Sequence, residues 1–129
     1  MKKILFFIES LSGGGAEKVL TTLVKNLDKQ KFDITVLVVA KTGVYVKEVE
    51  KYCHLISMLP DYDSLSNIVE KMKYRYTYKW IYNSSPGDVY RKYISEQYDV
   101  EVAFVEGFAT RIIAESTNEK SKKVCWLHI

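Results

Sequence analysis

A chain of 129 residues can bury one core but not two ordinary ones. Hydrophobic residues make up 47% and charged residues 27%, which excludes a disordered or fibrous chain. The formal net charge of +3, from 19 basic and 16 acidic residues, is too mild to argue for nucleic acid.

The chain opens on Ile4-Leu5-Phe6-Phe7-Ile8, a continuous apolar run of the kind found in strands covered on both faces. Glu9 and Ser10 stop it well short of a signal-peptide core, so a cytoplasmic protein, or one peripheral on the inner membrane face, is expected. A glycine-rich loop follows at 11–15. Ala16, Val19, Leu20, Leu23, Val24 and Leu27 then fall at helical spacing on one face. Residues 32–40, with Ile34-Thr35-Val36-Leu37-Val38-Val39, predict a second buried strand. Gly43 marks a loop, 44–52 a short helix, and 55–58 a third strand ended by Pro60.

Residues 64–83 predict a long helix with Leu65, Ile68, Val69, Met72, Tyr76 and Trp80 on one stripe. Ser84-Ser85-Pro86-Gly87 breaks it, and Pro86 suits the first turn of another helix running to about residue 98. Residues 100–105 predict a fourth strand, 107–117 a helix, and 123–127 a fifth strand. Strands alternating with helices predict an α/β fold, a doubly wound, mostly parallel, Rossmann-like sheet of about five strands with helices on both faces. One domain over 1–129 is expected. The strand-like ending without a covering helix predicts that a further half belongs to the protein.

In doubly wound sheets, ligands bind beyond the carboxyl ends of the strands, where the strand order reverses. The first strand here is followed by Ser12-Gly13-Gly14-Gly15-Ala16-Glu17. Three glycines allow a tight turn and close backbone approach, and the following helix start offers free N–H groups to an anion. A nicotinamide fingerprint fails because its third glycine is Lys18 and no acid ends the second strand. A P-loop fails for want of the closing Gly-Lys-Ser/Thr. Cys53 and Cys125 match no metal or redox spacing and read as reduced thiols.

The opening strand followed by Gly13-Gly14-Gly15-Ala16-Glu17-Lys18-Val19 resembles the start of family 4 glycosyltransferases. Tyr98-Asp99-Val100-Glu101-Val102-Ala103 resembles that family's entry to the fourth strand, and 122–128 its fifth strand. The resemblance covers the chain but only the N-terminal, acceptor-side domain of the two-domain GT-B architecture. It implies a nucleotide diphosphate sugar as donor, a saccharide or lipid-linked acceptor, transfer with retention, no cofactor and no metal. A role in surface polysaccharide synthesis is implied, with the donor-holding C-terminal domain supplied by a second half.

By that resemblance Gly13, Gly14 and Gly15 approach the donor phosphate or acceptor. Glu17 either complements the helix N-terminus or makes a polar contact in the cleft. Glu106 and Gly107, after the fourth strand, line the same cleft, and His128 is the catalytic candidate at the end of the fifth strand. Lys71, Arg75 and Lys79 lie four apart on one face of the long helix, beside aromatic residues, and are candidates for contact with an anionic membrane surface. Nucleic acid is not expected, since no stacking sheet or recognition helix is evident. The rival reading is a stand-alone, non-catalytic, flavodoxin-like ligand-binding or interaction module.

Overall fold

The structure, a computed structural model, describes residues 1–12 and 14–126. Its elements in chain order are β1 (Lys2–Phe7), α1 (Gly15–Asn26), β2 (Phe32–Val38), α2 (Val46–Tyr52) and β3 (His54–Ser57). After a 3₁₀ turn at Tyr62–Ser64 come α3 (Ile68–Asn83), α4 (Pro86–Tyr93), β4 (Val100–Ala103), α5 (Phe108–Ala114) and β5 (Lys122–Cys125). The five strands form one parallel sheet in the order β3-β2-β1-β4-β5. This is the expected Rossmann-like α/β sheet.

The pleat explains why β1 and β2 read as unbroken apolar runs. Leu5, Phe7, Leu37 and Val39 pack on one face against Ile81, Val89, Ala109 and Ile112 of α3, α4 and α5. Phe6, Ile8, Val36 and Val38 pack on the other against Leu20 and Val24 of α1 and Val49 of α2. A residue polar on either face would lose its place in a core, at roughly 1.5–3 kcal/mol per large apolar side chain removed from water.

The long helix differs from expectation in two ways. It begins at Ile68, not at residue 64. The Asn67 side chain accepts the Glu70 amide at 2.8 Å, and Glu70 reaches back to the Ser66 amide at 3.2 Å. This reciprocal capping fixes the start. Upstream, Ser64 Oγ donates to the Asp61 carbonyl at 2.7 Å, so local side-chain bonds compete with helix there. Second, the apolar stripe faces outward. Ile68, Val69, Met72 and Tyr76 are 51–74% exposed, while Ile81 is buried and Tyr74 packs on the core. Only the opposite side of α3 meets the sheet.

The shorter elements shift modestly. α4 ends at Tyr93 and β4 at Ala103, short of the expected bounds. Both cysteines are unbridged. The Cys53 thiol donates to the Val49 carbonyl at 3.4 Å, and burial pushes its pKa up to about 11.

At the amino end of β4, Glu101 is fully buried. Its carboxylate accepts the hydroxyls of Tyr90 and Ser121, and lies 2.6 Å from Ser116 Oγ. Asn118 Nδ2 donates to the Tyr98 carbonyl at 2.8 Å beside it. This polar knot ties α4 and the segment between α5 and β5 to the sheet. A buried carboxylate persists because several donors satisfy it.

Candidate functional site

The strand order reverses between β1 and β4, so the crevice lies where the segments after these two strands diverge. Phe7 and Ala103 are register partners, and the Phe104 amide donates to the Phe7 carbonyl at 2.9 Å. The two segments therefore leave the sheet side by side. Gly14, Gly15 and Glu17 belong to the first, Glu106 and Gly107 to the second. The expected cleft residues thus share one end of the sheet. Gly13 and His128 lie outside the described residues.

After β1 the chain continues beside β2, with Glu9 O accepting the Val39 amide at 3.0 Å. Leu11 is then buried and held from the side. Its amide donates to Thr42 O at 2.9 Å, and its carbonyl accepts the Tyr45 amide at 3.2 Å. This close approach requires Gly43, whose φ is +118° and whose hypothetical Cβ would collide with the Leu11 carbonyl.

The glycine loop delivers the chain into α1, with Gly14 as the N-cap in an extended conformation. Among the described residues, the amides of Gly15 and Ala16 meet no acceptor. A Cβ at Gly15 would meet nothing within 4 Å, so the backbone there is open to close approach. Glu17 qualifies the picture. Its carboxylate folds back over Gly14, where a Cβ on that residue would strike it. The acid in the first turn thus lies over the N-cap, where a negative charge is favourable to the helix N-terminus.

On the β4 side, Glu106 and Gly107 are exposed in the turn before α5. Gly107 has φ +88° and caps that helix, and Thr110 Oγ1 donates to Val105 O at 3.2 Å. Trp126, after β5, donates its amide to Ala103 O at 2.8 Å and lays its ring against Phe104 at 4.9 Å between centroids.

Two further residues, which the sequence does not single out as site residues, meet at this end of the sheet. Glu9 Oε1 accepts the Tyr82 hydroxyl at 2.7 Å, and the Tyr82 ring packs on Phe108 at 4.5 Å between centroids. Burial first, and then the bond to Glu9, push the Tyr82 pKa well above its ordinary range. The pair joins β1, α3 and α5 at the mouth of the sheet. The available signal was position, since Glu9 is the first acid after the leading strand; its partner lies 73 residues away and left no local trace.

Lys71, Arg75 and Lys79 stand on the outward side of α3, apart from this crevice, and belong to a separate surface. Among the described residues no three His, Cys, Asp or Glu side chains converge as metal ligands, and no helix is long and apolar enough to cross a membrane. The chain matches no protein-family model, no curated protein and no solved structure.

Proposed function

We propose that this chain is the acceptor-side domain of a retaining glycosyltransferase that takes a nucleotide diphosphate sugar as donor. A saccharide or lipid-linked acceptor would meet the donor in the crevice between this domain and a second, donor-holding domain. What supports the reading is the open backbone at Gly15, together with the amides of Gly15 and Ala16, which meet no acceptor among the described residues, at a helix start beside the strand-order reversal. Such amides stabilise charge on a departing diphosphate without moving. The order of motifs along the chain, which resembles family 4 glycosyltransferases, adds the sugar.

Glu9 and Glu106 stand in the two segments that leave the sheet at the same end and would orient acceptor hydroxyls, and the resemblance adds His128 to them. A cytoplasmic enzyme of surface polysaccharide synthesis fits this assignment. One observation favours the rival, a non-catalytic binding module: the Glu17 carboxylate already covers the N-cap, and a helix end so complemented needs no anion.

Two substitutions separate the readings. Gly15→Ala adds a methyl into open space at an ordinary φ, so it should leave the melting temperature unchanged or raise stability by about 0.4–1 kcal/mol. It should nonetheless weaken binding of nucleoside diphosphate sugars roughly tenfold, read by titration calorimetry, because the methyl blocks backbone approach. Glu17→Gln removes the competing charge and should tighten the same binding severalfold. If no nucleoside diphosphate sugar binds either variant or the parent, and the intact gene product transfers no sugar, the glycosyltransferase assignment fails.

A further inference from the structure

Among the described residues no element packs on the outward face of α3. Ile68, Met72 and Tyr76 run along it, with Val69 beside them, all more than half exposed. A helix surface this apolar is not left in water without reason. Arg75 and Lys79 lie among these side chains and share a shallow groove with Met72 and Tyr76. Lys71 and Lys73 stand to either side.

The charge is concentrated here. The helix carries four cations and the single acid Glu70, so its excess of +3 equals that of the whole chain. Asp61 and Asp63 stand in the turn before it, which leaves the stretch from Lys71 to Lys79 as the cationic part. Among the described residues none of Lys71, Lys73, Arg75 and Lys79 takes part in an ion pair. At the edge of the face, Lys92 lies over the Trp80 ring at 4.6 Å, an amphipathic pair suited to a wet–apolar boundary.

From this we infer that α3 docks flat on an anionic lipid surface, with Met72, Tyr76, Ile68 and Val69 entering the headgroup boundary. Arg75, Lys79, Lys71 and Lys73 meet lipid phosphates. Apolar side chains interleaved with cations match a plane that is apolar below and negative above. A second copy fits poorly, because two-fold pairing of this face would set cations against cations. Helical spacing puts these residues on one stripe, and its exposure supplies the apolar half of the interaction that basic residues alone lack. Because Tyr82 at the end of α3 contacts Glu9, docking holds the crevice close to the lipid surface. The inference stands independently of the sugar-transfer reading, and its test contains no sugar.

The test is co-sedimentation of the chain with vesicles of phosphatidylglycerol in phosphatidylcholine, against phosphatidylcholine alone. The protein is expected to partition onto the anionic vesicles and to leave them as salt rises. Arg75→Gln with Lys79→Gln should weaken partition about 25-fold, at roughly fivefold per cation. Met72→Ser with Tyr76→Ser should weaken it roughly tenfold with circular dichroism unchanged, since these side chains are exposed. No partition onto anionic vesicles overturns the inference, as does partition that neither double variant changes. A dimer in solution that Met72→Ser with Tyr76→Ser splits would assign the face to a second copy. Equal capture by soluble polyglutamate, insensitive to Met72 and Tyr76, would assign it to an acidic partner.

Discussion

Gly43→Ala is expected to destabilise the protein by about 4 kcal/mol, far more than any other glycine-to-alanine exchange around the glycine loop. Two costs add. A φ of +118° is strained for any residue with a Cβ, and here the Cβ would also overlap the Leu11 carbonyl. Neither atom can step aside easily, because Leu11 is buried and bonded on both sides, to Thr42 and Tyr45. Relief requires the segment between β1 and α1 to shift, so the variant should also lose any ligand held at Gly15. Gly15→Ala is the internal control, since the same methyl there meets open space. Urea unfolding at constant m-value would measure both. A Gly43→Ala midpoint equal to that of the parent would mean that the packing of Leu11 against this turn is wrongly described.

Glu101→Ala is expected to cost about 3–5 kcal/mol, a large share of the stability of a domain this size. The carboxylate is the shared acceptor for Tyr90 and Ser121, with Ser116 at 2.6 Å. Its removal leaves buried hydroxyls without an acceptor and opens a cavity between α4 and the sheet. Glu101→Gln keeps the volume but turns one oxygen into a donor, so it should recover roughly half of the loss. A Glu101→Ala variant within about 1 kcal/mol of the parent would show that the hydroxyls find other partners.

The same knot sets an alkaline limit. Burial, then the bond to Glu101, raise the Tyr90 pKa above its ordinary value of about 10. The unfolded chain gives up that proton near pH 10 while the folded chain keeps it. The folded state then binds more protons, so stability holds below that pH and falls as pH rises beyond it. Tyr82, raised by its own burial and by Glu9, acts in the same direction. A melting temperature followed from pH 8 to pH 11 should decline only in the upper part. Tyr90→Phe should flatten part of the decline.

The order of elements was readable because burial on both faces demands continuous apolar runs, as at Ile4 to Ile8 and Ile34 to Val39. The glycine loop was readable too, since close backbone approach excludes side chains. The sequence by itself therefore determined a parallel sheet with helices on both faces and a bare loop after its leading strand. The tertiary structure decided which side of α3 is buried. That helix has apolar residues all round, so periodicity could name a stripe but not choose between stripes; packing on the sheet selected Tyr74 and Ile81 and left Met72 and Tyr76 outside. It also decided that Glu9 meets Tyr82, that Glu101 meets Tyr90, and that Gly43 braces Leu11. Local spacing encodes propensity and faces, whereas partners distant in sequence are fixed only when strands pair and helices cross.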